Sequence, residues 1–131
     1  MPSRAAPAVV LRKQAYVGDV TAVCFLPLSK PQAPFLLAGV GAQLHLYDVL
    51  HGSAVLVQNV LNGNRVHGVT ARPCHGPSQG GGKESFDVAV HGGRVVKVFR
   101  LDFTHPPAGG GGGGGGAELT LVHALPPHGS W

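Results

Sequence analysis

The sequence predicts an all-β protein made of two four-stranded antiparallel units. Helical periodicity is nearly absent, and apolar residues come instead in short alternating or continuous runs rich in Val and Leu. Gly, Pro, Asn and Asp bound these runs, as expected of strands joined by turns. One pattern of runs also occurs twice along the chain, which indicates a structural repeat.

Eight runs have the length and composition of β-strands. Their spacing, with a turn signal between neighbours, is typical of a sandwich, a barrel or a propeller. In chain order the predicted strands are Val20–Phe25, Phe35–Ala38, Gln43–Val49, Ala54–Val60, Val66–Ala71, Asp87–Val90, Val95–Leu101 and Leu119–His123.

The first strand of each unit ends in the same way. VTAVCFLP, residues 20–27, aligns with VHGVTARP, residues 66–73, so that Val23 matches Val69 and Pro27 matches Pro73. The same strand, ending in the same proline, is therefore predicted twice.

A hairpin is repeated as well. LLAGVGAQLHLYDVL, residues 36–50, aligns with VAVHGGRVVKVFRLD, residues 88–102, and the predicted turns Val40-Gly41 and Gly92-Gly93 coincide. Tight turns between antiparallel strands need positive φ, which Gly adopts at little cost. Tyr47 matches Phe99, and each aromatic ring is expected to pack between neighbouring units.

Four antiparallel strands in a repeat of this period predict the blade of a β-propeller, so the chain is expected to hold about two blades. Two blades alone would leave two sheet faces uncovered. The predicted organisation is a disordered N-terminus (1–15), a first blade (16–63), a second blade (64–125) with disordered loops at 74–85 and 104–117, and the start of a truncated third blade (126–131).

Composition favours an intracellular protein. Cys24 and Cys74 lie far apart without Cys-x-x-Cys spacing, so neither a disulfide framework nor a zinc site is predicted. The apolar stretch from Ala5 to Leu11 is too short for a signal-peptide core or a membrane span. The net charge of +4 is a mild basic bias, with no interleaved aromatics of the kind that single-stranded nucleic-acid grooves use.

No catalytic, cofactor or metal site is predicted. The eight histidines form no His-x-x-x-His or Glu-x-x-His pattern, and no Gly-x-Ser-x-Gly elbow is present. Gly39-Val40-Gly41 and Gly92-Gly93 join strands to strands, whereas phosphate-binding loops lead into helices. Cys24 is expected to be a small core residue. His67 is expected to be a hydrogen-bonded residue near a loop, with a partner-binding role as the alternative.

Tyr47-Asp48-Val49 resembles the Trp-Asp pair that gives the WD repeat its name. In the second unit the corresponding pair is Phe99-Arg100, and Gly occupies both turns where WD repeats usually carry Asp. The hydrogen-bonded tetrad typical of WD repeats therefore cannot form in either predicted blade.

A closer resemblance rests on four segments in order: VGDVTAVCFLP, PFLLAGVGAQLHLYDV, NRVHGVTARP and VAVHGGRVVKVFRLDF. From about Tyr16 to Phe103 they resemble the N-terminal blades of the WD repeat-containing protein 6 family and its plant counterparts. These proteins are accessory subunits of FtsJ-type tRNA 2′-O-methyltransferases. The resemblance implies a cytoplasmic, non-catalytic scaffold that binds the methyltransferase catalytic subunit and helps to position tRNA for methylation of the wobble ribose.

Two other classes stay open on the sequence alone. A generic WD-like adaptor would serve another complex, such as a ubiquitin ligase or a trafficking assembly. A small β-barrel enzyme or nucleic-acid binder would need to be a compact monomer, which the repeat does not predict.

Overall fold

The computed structural model describes residues 18–29, 34–74, 83–105 and 116–125, and within them the protein is all-β, as predicted. The strands form two four-stranded antiparallel sheets, β1-β2-β3-β4 and β5-β6-β7-β8, each in sequence order. The described residues contain no helix. The strands are β1 (Val20–Phe25), β2 (Phe35–Val40), β3 (Gln43–Asp48), β4 (Ser53–Asn59), β5 (Gly68–Pro73), β6 (Lys83–Gly92), β7 (Val95–Thr104) and β8 (Gly116–Leu125).

All eight predicted strands are present, but several are longer than the sequence indicated. β6 begins at Lys83 and β7 ends at Thr104, so strand extends into both predicted disordered loops, 74–85 and 104–117. β8 begins at Gly116, two residues before the second of these loops was expected to end. The reason is that backbone pairing continues through polar residues: Lys83 pairs with Thr104, which in turn pairs with Gly116. The rest of both loops, residues 1–15 and residues 126–131 lie outside the described residues.

Two glycine turns close equivalent hairpins. Gly41 and Gly93 both have a φ of 59°, in the left-handed region that favours glycine. The turns consist of Gly41-Ala42 and Gly93-Arg94, one residue later than the sequence predicted. This shared geometry confirms the repeated hairpin.

The two sheets pack face to face around one hydrophobic core. β1 lies against β5 and β4 lies against β8, so strands with the same position in each sheet are neighbours. Apolar residues of both sheets and of the link between them form a single buried cluster. Its members are Leu26, Phe35, Leu37, Leu44, Leu46, Val60, Leu61, Val66, Phe86, Val88, Val90, Phe99, Leu101, Phe103 and Leu119.

The link between the sheets, residues 60–67, is fixed by close packing. Val66 is completely buried, and its backbone N–H donates a hydrogen bond of 2.8 Å to the carbonyl oxygen of Gly41. The Thr21 hydroxyl donates to the carbonyl oxygen of Val66. A Cβ added at Gly92 would lie 2.0 Å from the carbonyl oxygen of Arg65, so the link can approach this strand only because residue 92 is glycine.

The sheets are packed head to tail with respect to the sequence repeat. Leu46 is buried between the sheets, but its repeat partner Val98 pairs with His123 on the opposite side of the second sheet. Conversely, Phe99 is in the shared core, while its repeat partner Tyr47 lies on the side of the first sheet that faces away. Unlike faces of the two units are therefore in contact.

Candidate functional site

The strongest candidate for an interaction surface is the side of the first sheet that faces away from the second. Residues directly opposite in an antiparallel pair share a face, so strand pairing defines which side chains lie there. We call this surface the outer apolar face. It consists of Val20, Val23 and Phe25 on β1, Leu36, Ala38 and Val40 on β2, Gln43, His45 and Tyr47 on β3, and Ala54, Val57 and Asn59 on β4.

Large apolar side chains on this face are open to solvent. Phe25 is 63% exposed, and Val20, Val23 and Val57 are each more than half exposed. Val40 is buried at the centre of the face but is not part of the core shared by the sheets. A contiguous exposed apolar patch of this kind marks an interaction site more often than a random surface does.

A polar ladder runs along β3 within the outer apolar face. His45 Nδ1 lies 2.8 Å from the Tyr47 hydroxyl, and His45 Nε2 lies 3.0 Å from Gln43 Oε1. His45 is only 8% exposed, and burial lowers its pKa from the ordinary value of 6.5. The imidazole is therefore neutral at pH 7, with Nε2–H donating to Gln43 and Nδ1 accepting from Tyr47.

The side of the second sheet that faces away has a different chemistry. Arg72 Nε lies 3.3 Å from Asp87 Oδ2, and the Ser85 hydroxyl donates a 2.6 Å hydrogen bond to Asp102. Arg100 is exposed on the same face. This outer polar face is suited to water, so it is a weaker candidate for burial against another protein.

A third group of polar residues joins the two sheets at the end opposite the glycine turns. Glu84 Oε1 accepts a 3.0 Å hydrogen bond from the backbone N–H of Ser29, and Glu84 Oε2 lies 2.5 Å from His105 Nε2. Burial by itself would raise the pKa of Glu84, but the hydrogen bonds from His105 and Ser29 lower it overall. The carboxylate is thus ionised at neutral pH and ties the second sheet to the loop after β1.

Aromatic rings line this junction. Phe35 and Phe103 meet edge to face with ring centroids 4.7 Å apart, and Phe103 contacts the His105 ring at 5.0 Å. The Glu84 contact therefore lies beside buried apolar surface, where a charge-assisted hydrogen bond is stronger than in water.

The residues considered from the sequence do not gather into one site. Cys24 is half-buried and packs against the core, as expected, and Cys74 is half-buried at the end of β5. His67 is exposed, and its backbone N–H donates to the carbonyl oxygen of His91. Within the part of the chain that the structure describes, no three His, Cys, Asp or Glu side chains come together as a group that could hold a metal ion.

One histidine pairs with a carboxylate at a turn. His51 Nδ1 lies 2.7 Å from Asp48 Oδ2, and the His51 backbone N–H donates to Asp48 Oδ1. Burial would raise the pKa of Asp48, but the bonds from His51 lower it overall. Because His51 is 70% exposed at its side chain, this pair closes the β3–β4 turn and does not form a buried catalytic dyad.

Sequence reasoning missed both polar groups described above. The spacing of Gln43, His45 and Tyr47 at every second residue of a strand could have revealed the ladder, since alternate residues share a face. Glu84 and His105 carried no such signal, because both fell in segments predicted to be disordered loops.

Comparisons of the chain with protein-family models, with curated proteins and with solved structures found no match. Across the described ranges, no helix is long and apolar enough to cross a membrane. What can be said of function therefore depends on the packing of the two sheets and on the surfaces that they present.

Proposed function

We propose that this chain is part of a WD-repeat-like β-propeller scaffold without an active site of its own. In this proposal it acts in the cytoplasm, where it assists an FtsJ-type methyltransferase in 2′-O-methylation of the tRNA wobble nucleotide. The observation that carries the proposal is the head-to-tail packing of two four-stranded repeats around one core.

Head-to-tail packing supports a propeller over a two-sheet sandwich. In a propeller each blade presents one face to the preceding blade and the opposite face to the following blade, so unlike faces of the repeat meet. Val69 packs against the core, whereas its repeat partner Val23 is 58% exposed on the outer apolar face. A sandwich of two related sheets would be expected to bury the same face of each unit.

The choice of methyltransferase as partner rests on the sequence resemblance. Its four segments correspond to β1, to the β2–β3 hairpin, to the link with β5, and to the β6–β7 hairpin. These are the strands that build the shared core and its turns, so the resemblance covers the elements that define both repeats.

The test is to disrupt the gene in the organism that encodes it and to measure ribose methylation at the tRNA wobble position by mass spectrometry. The proposal predicts loss of wobble 2′-O-methylation, restored when the gene is supplied again. Ribose methylation elsewhere in the same tRNAs is the internal control and should not change.

Unchanged wobble methylation would contradict the proposal and favour an adaptor for another complex. Purification of the tagged protein separates the same two cases. The scaffold hypothesis predicts that the methyltransferase catalytic subunit copurifies in a fixed ratio, and the adaptor hypothesis predicts that it is absent.

A further inference from the structure

The outer apolar face has no charged residue at any of its strand positions. Its exposed members include Phe25, Val23 and Val57, and its polar members are linked to each other along β3. Burying this face against an apolar surface would therefore remove hydrocarbon from water without leaving an ion unpaired.

A second copy of the chain can offer three kinds of sheet face, and only one of them fits. The two inner faces are already occupied by each other in the shared core. The outer polar face would carry Arg72, Asp87 and Arg100 into the contact, although the opposing surface holds no charge to compensate them. The outer apolar face of the second copy remains.

We propose that two copies of this chain associate through their outer apolar faces, related by a two-fold axis. The inference goes beyond the proposed function and does not depend on it, since it follows from the exposure and charge of the first sheet alone. A contact in which each copy uses the same patch is closed, so assembly stops at the dimer.

The polar ladder makes this contact sensitive to protonation. In a dimer His45 would be covered by the second copy, and the surrounding positions of β2 and β4 carry no titratable group. Tyr47 is the one other titratable side chain on the face, and it donates to the neutral imidazole. Protonation of His45 would place a charge in an apolar contact, so acid should weaken the dimer.

The experiment is sedimentation velocity on the full 131-residue chain over a range of concentrations at pH 7.5. The wild-type chain is expected to dimerise. Phe25→Asp places a carboxylate on the exposed part of β1 and should weaken the dimer on the order of a hundredfold or more. Circular dichroism checks that the variant stays folded, which is expected because Phe25 is 63% exposed in the single chain.

Two matched variants test the location of the contact. Leu50→Asp changes a side chain that is 69% exposed in the β3–β4 turn and should leave the dimer intact. Thr70→Asp changes an exposed residue on the outer polar face and should also have no effect. Loss of association in Thr70→Asp, or species larger than a dimer, would overturn the symmetric arrangement and indicate head-to-tail contacts between copies.

A folded wild-type monomer at all concentrations would overturn the proposal, leaving the face for a further sheet of a longer polypeptide or for a different partner. So would a dimer that Phe25→Asp does not disturb. For the ladder, lowering the pH to about 5 should dissociate the wild-type dimer but not a His45→Leu dimer, because only the former gains a charge. Equal acid sensitivity of both would show that His45 has no part in the contact.

Discussion

The two sheets share one backbone plan but differ in the chemistry of the faces that they turn outward. In the first unit, Leu26 and Phe35 are buried in the core, at 5% and 4% exposure. The residues at the same repeat positions in the second unit are Arg72 and Asp87, which form an ion pair on the outer polar face. The repeat therefore conserves strand order and packing direction, while the residues at each position follow whether that face is covered.

This difference revises the expectation that two blades would leave two apolar faces uncovered. Only the first sheet exposes large apolar side chains on its outward side. The second sheet has polar and charged residues there, so its outward side can face water without a partner. The molecule is thus asymmetric, with one sheet suited to association and one suited to solvent.

The largest effect should come from removing an aromatic side chain from the shared core. Phe103 is 1% exposed and packs against Phe35, so Phe103→Ala should lower the free energy of unfolding by about 3–5 kcal/mol. Phe25→Ala is the matched control, because Phe25 is exposed, and its effect on the single chain should be small. Urea denaturation at a concentration below that of self-association measures both, and equal losses would show that the two sheets do not share this core.

A smaller loss is expected where the link between the sheets meets β6. Gly92→Ala would push a methyl group against the Arg65 carbonyl and should cost about 1–3 kcal/mol through overpacking. Gly116→Ala provides the comparison in β8, where an added Cβ meets nothing within 4 Å. Thermal denaturation should lower the Tm of the first variant and leave the second unchanged or slightly raised, and the reverse order would contradict the observed position of the link.

The Glu84 contact predicts a pH dependence that belongs to the junction of the sheets. Its pKa is lowered in the folded chain, so the stabilisation is present above the ordinary value of 4.5 and is lost as the pH falls through the folded-state value. Glu84→Gln should remove this part of the acid sensitivity and cost about 1.5–3 kcal/mol at pH 7. Urea denaturation at pH 7 and at about pH 3.5 tests it.

Glu118→Gln is the control for that measurement, because Glu118 is an exposed acid on β8. It should change neither the stability at pH 7 nor its dependence on pH. If Glu84→Gln behaved in the same way as Glu118→Gln, the contact with Ser29 and His105 would contribute nothing to holding the sheets together.

The smallest effect is expected on the outer polar face. Arg72 is 74% exposed at its side chain, and an exposed ion pair of this kind contributes less than about 1 kcal/mol. A double-mutant cycle with Arg72→Ala and Asp87→Ala should therefore give a coupling energy within that limit, decreasing with added salt. A markedly larger value would mean that this face is buried in solution, contrary to the contrast between the sheets.

Much of the fold could be predicted because the strands bury alternating or continuous apolar runs. β1 has the predicted bounds, and the repeated hairpins turn at Gly41 and Gly93, whose positive φ the sequence anticipated. The ends of β6 and β8 could not be predicted in the same way, since backbone pairing carries the polar Lys83 and the glycine at position 116 into strands.

The candidate surfaces were harder to predict than the strands. Alternation separates two faces of a strand, but it does not say which face meets the other sheet. Phe99 and Tyr47 look equivalent in the sequence, and yet Phe99 is buried in the core while Tyr47 lies on the outer apolar face. That distinction depends on packing between sheets, which the pattern of a single strand does not contain.

The measurement that tests the head-to-tail packing most directly is a set of proton NOEs from specifically labelled phenylalanines in the folded monomer. The account predicts NOEs between the rings of Phe35 and Phe103, whose centroids lie 4.7 Å apart, and none between Phe25 and any proton of β5–β8. NOEs from Phe25 to the second sheet, with none between Phe35 and Phe103, would mean that the first sheet packs through its other face and would contradict the account.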